Sequence, residues 1–160
     1  MEQADPQTWL EEPHRAALER VEQALIARFG GEIGIEVAAE VQAWAWHHLD
    51  QVEEADNPAG LLYRVGQSQA RGHLRWMRRR APVELLPEEV VRDRNAELVD
   101  LFRCLGELSE AQRVAVVLVH AHGERYDDVA EVLGVSPAAV TNHVHRGLKK
   151  LRRLMEVDDG

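Results

Sequence analysis

Between Arg125 and Arg153 the chain places helix-start, helix-stop and turn signals in an order that fits one local fold, two helices meeting at a tight corner. Arg125 to Leu133 reads as a short positioning helix, and Gly134-Val135 makes the turn, because glycine adopts the left-handed backbone that such a corner needs. Ser136 then stands as N-cap with Pro137 at the first helical position, two start signals side by side. In the helix that follows, Val140, Val144, Leu148 and Leu151 recur at steps of four, four and three, so one stripe faces a core. Its other faces carry Thr141, Asn142, His143, His145, Arg146, Lys149, Lys150, Arg152 and Arg153. An apolar spine flanked by hydrogen-bonding and cationic side chains suits a helix that lies in the major groove of DNA. A solvated basic helix would explain the charges, but not the turn, the cap and the preceding helix together.

The net charge of −9 runs against nucleic-acid binding until its distribution is read. Met1 to Gly60 holds 13 acids and three bases, whereas Leu61 to Arg80 holds six arginines and no acid. Val132 to Met155 adds five bases, again with no acid. Eleven of the 19 Lys and Arg residues therefore sit in two short segments, each predicted to be helical. Two cationic faces on an acidic body imply steered, local contact with a polyanion, not general affinity for one.

Ala17, Val21, Ala24 and Leu25 predict a helix over Pro13–Phe29, stopped by Gly30-Gly31. Val37, Val41, Ala45 and Leu49 predict a second, over Ile35–Leu49. Trp44 and Trp46 cannot both lie on its stripe, so at least one faces a neighbour or a partner. Val52 to Asp56 reads as an acidic loop, and Asn57-Pro58 as the cap and first position of a third helix running to Arg80. That helix begins apolar and turns cationic through Arg64, Arg71, Arg75, Arg78, Arg79 and Arg80. Pro82 and Pro87 punctuate a linker, after which Asn95–Leu105 is helical and Ser109-Glu110-Ala111-Gln112 has capping-box spacing. Met1 to Glu12 is expected to be frayed. The expected fold is all-α: two small helical domains, 10–80 and 95–155, joined by a linker over 81–94, with the helix-turn-helix in the second.

The same residues argue against several function classes. Six of the eight histidines pair at adjacent or alternate positions (His47-His48, His120 and His122, His143 and His145), whereas helical metal pairs sit three or four apart, so no metal site is expected. Asp127-Asp128 reads as first-turn acids favouring a helix dipole. No Ser-His-Asp elbow, phosphate-cradling glycine loop or nucleotide fingerprint is present, so neither an enzyme nor a cofactor is expected. No apolar run is long enough to cross a bilayer, and no segment has a signal-peptide pattern. Cys104 is the single cysteine and reads as core filler; with no disulfide possible within the chain, a cytoplasmic location is expected.

With both halves placed, the chain resembles a bacterial sigma factor of the small extracytoplasmic-function type, from about Ala24 to Leu154. Leu105 to Arg113, Tyr126 to Ser136 and Val144 to Arg152 resemble its second domain and promoter-reading helix-turn-helix. Glu40-Val41, Ala45 to Leu49 and Leu62 to Val65 resemble its polymerase-binding and melting helices. The resemblance implies a region-two-like domain at 10–80 and a region-four-like domain at 95–155. It implies core RNA polymerase and promoter DNA as partners, an anti-sigma protein as a further candidate, and neither membrane nor small-molecule substrate. It implies polymerase docking through Glu36, Glu40, Trp46 and His47. It assigns the downstream element and melted strand to Arg64, Arg71, Arg75, Trp76, Arg78 and Arg79. It assigns the upstream element to Thr141, Asn142, His143 and Arg146, with Lys149 and Lys150 on phosphate. Where the family typically carries Asp-Ala-Glu-Asp at the start of its docking helix, this chain has Ile33-Gly34-Ile35-Glu36, which implies an altered docking surface. Ser68 and Gly72 stand where the family commonly has Asn and Asp, and Thr141 and His143 where it often has basic residues. The alternative carried by these departures is a sigma-like regulator, or a protein that sequesters a sigma antagonist, that does not itself initiate transcription.

Overall fold

The computed structural model describes residues 9–80 and 96–158, with side chains over 9–76 and 100–156. Every regular element among them is helical: α1 (His14–Phe29), α2 (Gly31–His47), α3 (Leu49–Glu54), α4 (Pro58–Arg80), α5 (Ala96–Gly106), α6 (Glu110–Val116), α7 (Tyr126–Leu133) and α8 (Pro137–Asp158). The linker expected over 81–94 lies outside the described residues.

The first four helices assemble because three of them carry buried stripes. Leu18, Val21 and Leu25 of α1 meet Val37, Val41 and Ala45 of α2 and Leu62 and Ala70 of α4. The stop signal at Gly30 is a sharp one: its φ of +86° belongs to glycine, and α2 begins at the very next residue. Gly34 permits the close crossing of α1 and α2, since a Cβ there would lie 2.5 Å from the Ile26 Cα. The first departure from sequence expectation is at Leu10, which is 1% exposed and part of the core, not frayed. The second is at His48. Its backbone leaves the helix at φ −126° and its ring Nδ1–H donates to the Trp44 carbonyl at 2.8 Å, so α2 ends at His47. A new short helix, α3, then occupies most of the segment read as an acidic loop, anchored by buried Val52.

In the second half the capping box forms as its spacing predicts, with Ser109 Oγ accepting from the Gln112 amide at 3.2 Å and the Gln112 side chain accepting from the Ser109 amide. A π-helical turn, Val117–Ala121, extends α6. Cys104, Leu108, Val116 and Leu151 form a small cluster that seats α5 on α8, which confirms Cys104 as core filler.

The two halves are in contact. Val114, Leu118, Val129 and Val132 belong to the same buried cluster as the core of α1, α2 and α4. A polar rim surrounds that contact. Arg113 Nε and Nη2 donate to the carbonyls of Ala27 and Arg28 at 2.9 and 2.8 Å, closing the C-terminus of α1. Arg28 in turn pairs with Glu110, Arg20 Nε reaches Glu124 at 3.0 Å, and Asn57 Nδ2 donates to the Glu131 carbonyl at 2.8 Å.

Candidate nucleic-acid interface

The corner of the helix-turn-helix forms as its residues dictate. Gly134 closes α7 in the left-handed region (φ 66°, ψ 36°), and its amide and that of Val135 return to the last turn of α7. Ser136 Oγ accepts from the Ala139 amide at 3.1 Å, the N-cap bond expected of it. Val140 and Val144 are buried against the cluster, with Leu151 anchoring the far end, so the face carrying the polar residues is turned outward.

On that outward face Thr141, Asn142, Arg146 and Lys149 are all exposed. Three details differentiate the residues assigned to DNA. The Thr141 hydroxyl donates to the Pro137 carbonyl at 3.1 Å, within its own helix. His143 is half-buried, at the margin of the face. Lys150 is half-buried too, and its Nζ donates to the Glu107 carbonyl at 2.6 Å, which ties α8 to the end of α5. His145, absent from the residues assigned to the upstream element, is exposed beside Asn142.

The second cationic face is on α4. Arg64, Ser68, Arg71 and Arg75 follow one another at four, three and four residues, and all are exposed. They line the side opposite Leu62, Gly66 and Ala70, which are buried. Trp76 is 55% exposed but lies off that stripe, at a cleft of about 510 Å³ shared with Glu36, Glu40, Gln69 and His73. The side chains of Arg78 and Arg79 lie outside the described residues.

The outer face of α2 is a mixed surface. Ile35 is 61% and Trp46 55% exposed, with His47 beside them. Trp9 packs edge-on against Trp46, ring centroids 5.0 Å apart, whereas Trp44 stacks inward on His48 at 4.2 Å. The acidic flank is engaged internally: His73 Nε2–H donates to Glu40 at 2.6 Å, and its Nδ1 stands 3.9 Å from Glu36. Nothing in the sequence signals that pairing, because the partners are more than thirty residues apart and on different helices. Among the described residues no group of three His, Cys, Asp or Glu side chains is placed to hold a metal ion. No helix among them is long and apolar enough to cross a membrane.

Known proteins share this arrangement. Residues 98–151, from within α5 to about two thirds of the way along α8, match the family described as sigma-70, region 4. The structure of the sigma factor RpoE from Bartonella quintana, solved with the anti-sigma factor NepR, covers 89% of this chain and 94% of its own with a TM-score of 0.60 at 22% identity. The structure of CnrH in complex with the cytosolic domain of CnrY covers 91% of this chain and 84% of its own, with a TM-score of 0.54 at 25% identity. The sequence of the RNA polymerase sigma factor CnrH of Cupriavidus metallidurans is 30% identical over 132 residues, 71% of this chain and 69% of that protein. With that relative matched over more than two thirds of its length and a region 4 match spanning the helix-turn-helix, the chain belongs to the bacterial RNA polymerase sigma factors of the extracytoplasmic-function type.

Proposed function

We propose that this sigma factor, which directs core RNA polymerase to promoters and serves transcription initiation, divides the work between two outward cationic stripes. One is Arg64, Arg71 and Arg75 on α4; the other is Asn142, Arg146 and Lys149 on α8. The observation that carries this division is that each stripe faces away from the buried side of its helix. The cations are therefore available to a polyanion without unpacking the core. On this reading 10–80 is a region-two-like unit, 81–94 a linker and 95–155 a region-four-like unit. Guanidinium groups on α4 hold phosphates and stack on bases of the melted strand. The side chains of α8 read base edges in the upstream element, with Lys149 on phosphate.

Polymerase docks on the outer face of α2, through Ile35, Trp46, His47, Glu36 and Glu40. Here the apolar residues do part of the work that carboxylates do elsewhere in the family, and His73 holds the two glutamates in place. An antagonist protein is a natural further partner, since one structural relative was solved with an anti-sigma factor and the other in complex with the cytosolic domain of CnrY. Catalysis of the nucleotidyl transfer belongs to the polymerase. The molecule works inside the cell, where polymerase and promoter are.

The test is reconstitution of the full chain with core RNA polymerase, scored for stable association and for run-off transcription on genomic DNA. Discrete new transcripts are the expected result. Association without transcripts would favour a non-initiating polymerase binder. Absence of association would overturn the α2 docking surface.

A further inference from the structure

The two halves leave a gap beside their contact, where the C-terminal end of α1 faces α5 and the π-helical turn after α6. It is a cavity of about 670 Å³. Small-molecule sites usually span about 300–1,000 Å³ and favour the seams between structural units. Ile26 and Phe29 from the first half and Leu101, Phe102 and Val117 from the second give it apolar walls. Ile26 and Phe102 remain 38% and 56% exposed, so the halves meet without covering them.

Its charged lining is of one sign. Arg28, Arg113 and His122 stand on the walls, and no Asp or Glu lies among the described residues that line it, in a chain with 28 acids against 19 Lys and Arg. The two guanidinium groups are only partly used. Arg113 gives Nε and Nη2 to the carbonyls of Ala27 and Arg28, which leaves its charge without a carboxylate partner among the described residues. Arg28 Nη2 is held by Glu110 and Nη1 stands 3.4 Å from the Tyr63 hydroxyl, but its Nε is buried with no acceptor. A buried N–H without an acceptor costs stability, and an anionic group bound within its reach removes that cost.

We infer that this cavity is a binding site for a small apolar carboxylic acid, an acyl or aryl body carrying one carboxylate, that bridges the two halves. The apolar body lies against Ile26, Phe29, Leu101 and Phe102. The carboxylate lies between the guanidinium groups of Arg28 and Arg113 and accepts charge-assisted hydrogen bonds from them. The apolar walls give such an acid an affinity that an inorganic anion lacks, and the cations give it one that a neutral hydrocarbon lacks. Because the walls come from both halves, the ligand binds only while they are in contact. It therefore favours that arrangement over any in which they part, which makes the acid a regulator of this chain and not a substrate.

The experiment is isothermal titration calorimetry of the full chain with decanoate, and with 1-decanol as the uncharged analogue of the same chain length. Decanoate is expected to bind at a single site and to raise the melting temperature, as any ligand specific to the folded state does. The alcohol is expected to bind about tenfold more weakly or not at all, since it lacks the charge-assisted pair. Arg28→Gln is expected to weaken decanoate by about tenfold without weakening the alcohol, whereas Arg28→Lys, which keeps the cation, retains most of the affinity. Ile26→Glu and Phe102→Glu each put a carboxylate on one wall. Both positions are exposed, so the variants are expected to fold, which far-UV circular dichroism checks, and each is expected to abolish decanoate binding. Equal affinity for decanoate and 1-decanol would reduce the cavity to an apolar patch and overturn the inference. Binding that survives either Glu variant would overturn it equally, because the ligand would then lie elsewhere or on one half alone. Absence of decanoate binding up to millimolar concentration overturns it too, and capture of an amphipathic peptide in its place would assign the cavity to a protein partner.

Discussion

Removing the Arg113 guanidinium is expected to loosen the two halves from each other. Its two donors meet the carbonyls of Ala27 and Arg28 at 2.9 and 2.8 Å. Both carbonyls belong to the last turn of α1, which has no intrahelical donors left for them, and they sit at the negative end of the helix dipole. A hydrogen bond to a charged group contributes about 1.5–3 kcal/mol, and these are only part-buried, so Arg113→Ala should cost about 2–4 kcal/mol in total. At roughly 2–4 °C per kcal/mol for a chain of this size, the melting temperature should fall by about 4–15 °C. Arg113→Lys should recover part of the loss, because a single ammonium head cannot span both carbonyls as the planar fork does. The assay is thermal unfolding followed by two probes. All four tryptophans lie in the first half, so their fluorescence reports that half alone, whereas far-UV circular dichroism reports both. A drop in melting temperature below about 1 °C for Arg113→Ala would refute the energetic argument. Equal stability of the Lys variant and wild type would refute the role of the fork.

Lys149→Ala should weaken promoter binding evenly across sequences and reduce the salt-dependence slope by about one, as expected of a phosphate contact. Lys150→Ala should leave that slope unchanged, because its ammonium is held on the Glu107 carbonyl; a loss equal to that of Lys149→Ala would place Lys150 on DNA. Glu22 is held above the ordinary carboxylate range by desolvation, with a smaller contribution from Glu19. Its folded value is the raised one, so its contribution to stability is fully present below its unfolded value and is lost as pH rises through the folded one. Glu22→Gln should therefore stabilise the protein at neutral pH and progressively less in acid; chemical denaturation at several pH values checks the trend, and a pH-independent effect would contradict it. Gly34→Ala should destabilise by about 1–3 kcal/mol despite alanine's better helix propensity, because the added carbon meets the backbone of Leu25 and Ile26; a neutral result in denaturant unfolding would contradict the close crossing.

What was legible in the sequence was what local chemistry decides. Gly134, Ser136 and Pro137 specify the corner by backbone preference alone, and Arg64, Arg71 and Arg75 of α4 fall on one stripe because helical period and spacing agree. What depends on distant partners was not. Leu10 is a single apolar residue among polar ones, and only the assembled helices offer it a place to bury. The break at His48 needs the Trp44 carbonyl as acceptor, and the π-turn after α6 has no composition of its own. At the site, the polar set on α8 was readable, but its centre required the phase of the helix against its core. The half-burial of His143 and the tie of Lys150 to the Glu107 carbonyl likewise depend on neighbours that the spacing of charges along the sequence does not specify.

The crossing at Gly34 also bears on how this chain and its relatives can interconvert. Where the family typically has alanine between two acids, this chain has no side chain at all, with the Ile26 backbone filling the space. Restoring the whole familiar run therefore takes more than exchanging Ile33 and Ile35 for carboxylates, because its alanine would have to stand at position 34. The alanine between them would force α1 and α2 apart, and those helices carry the core on which α4 rests. A carboxylate at exposed Ile35 would leave the crossing untouched, whereas a side chain at position 34 is resisted by the interior beneath it.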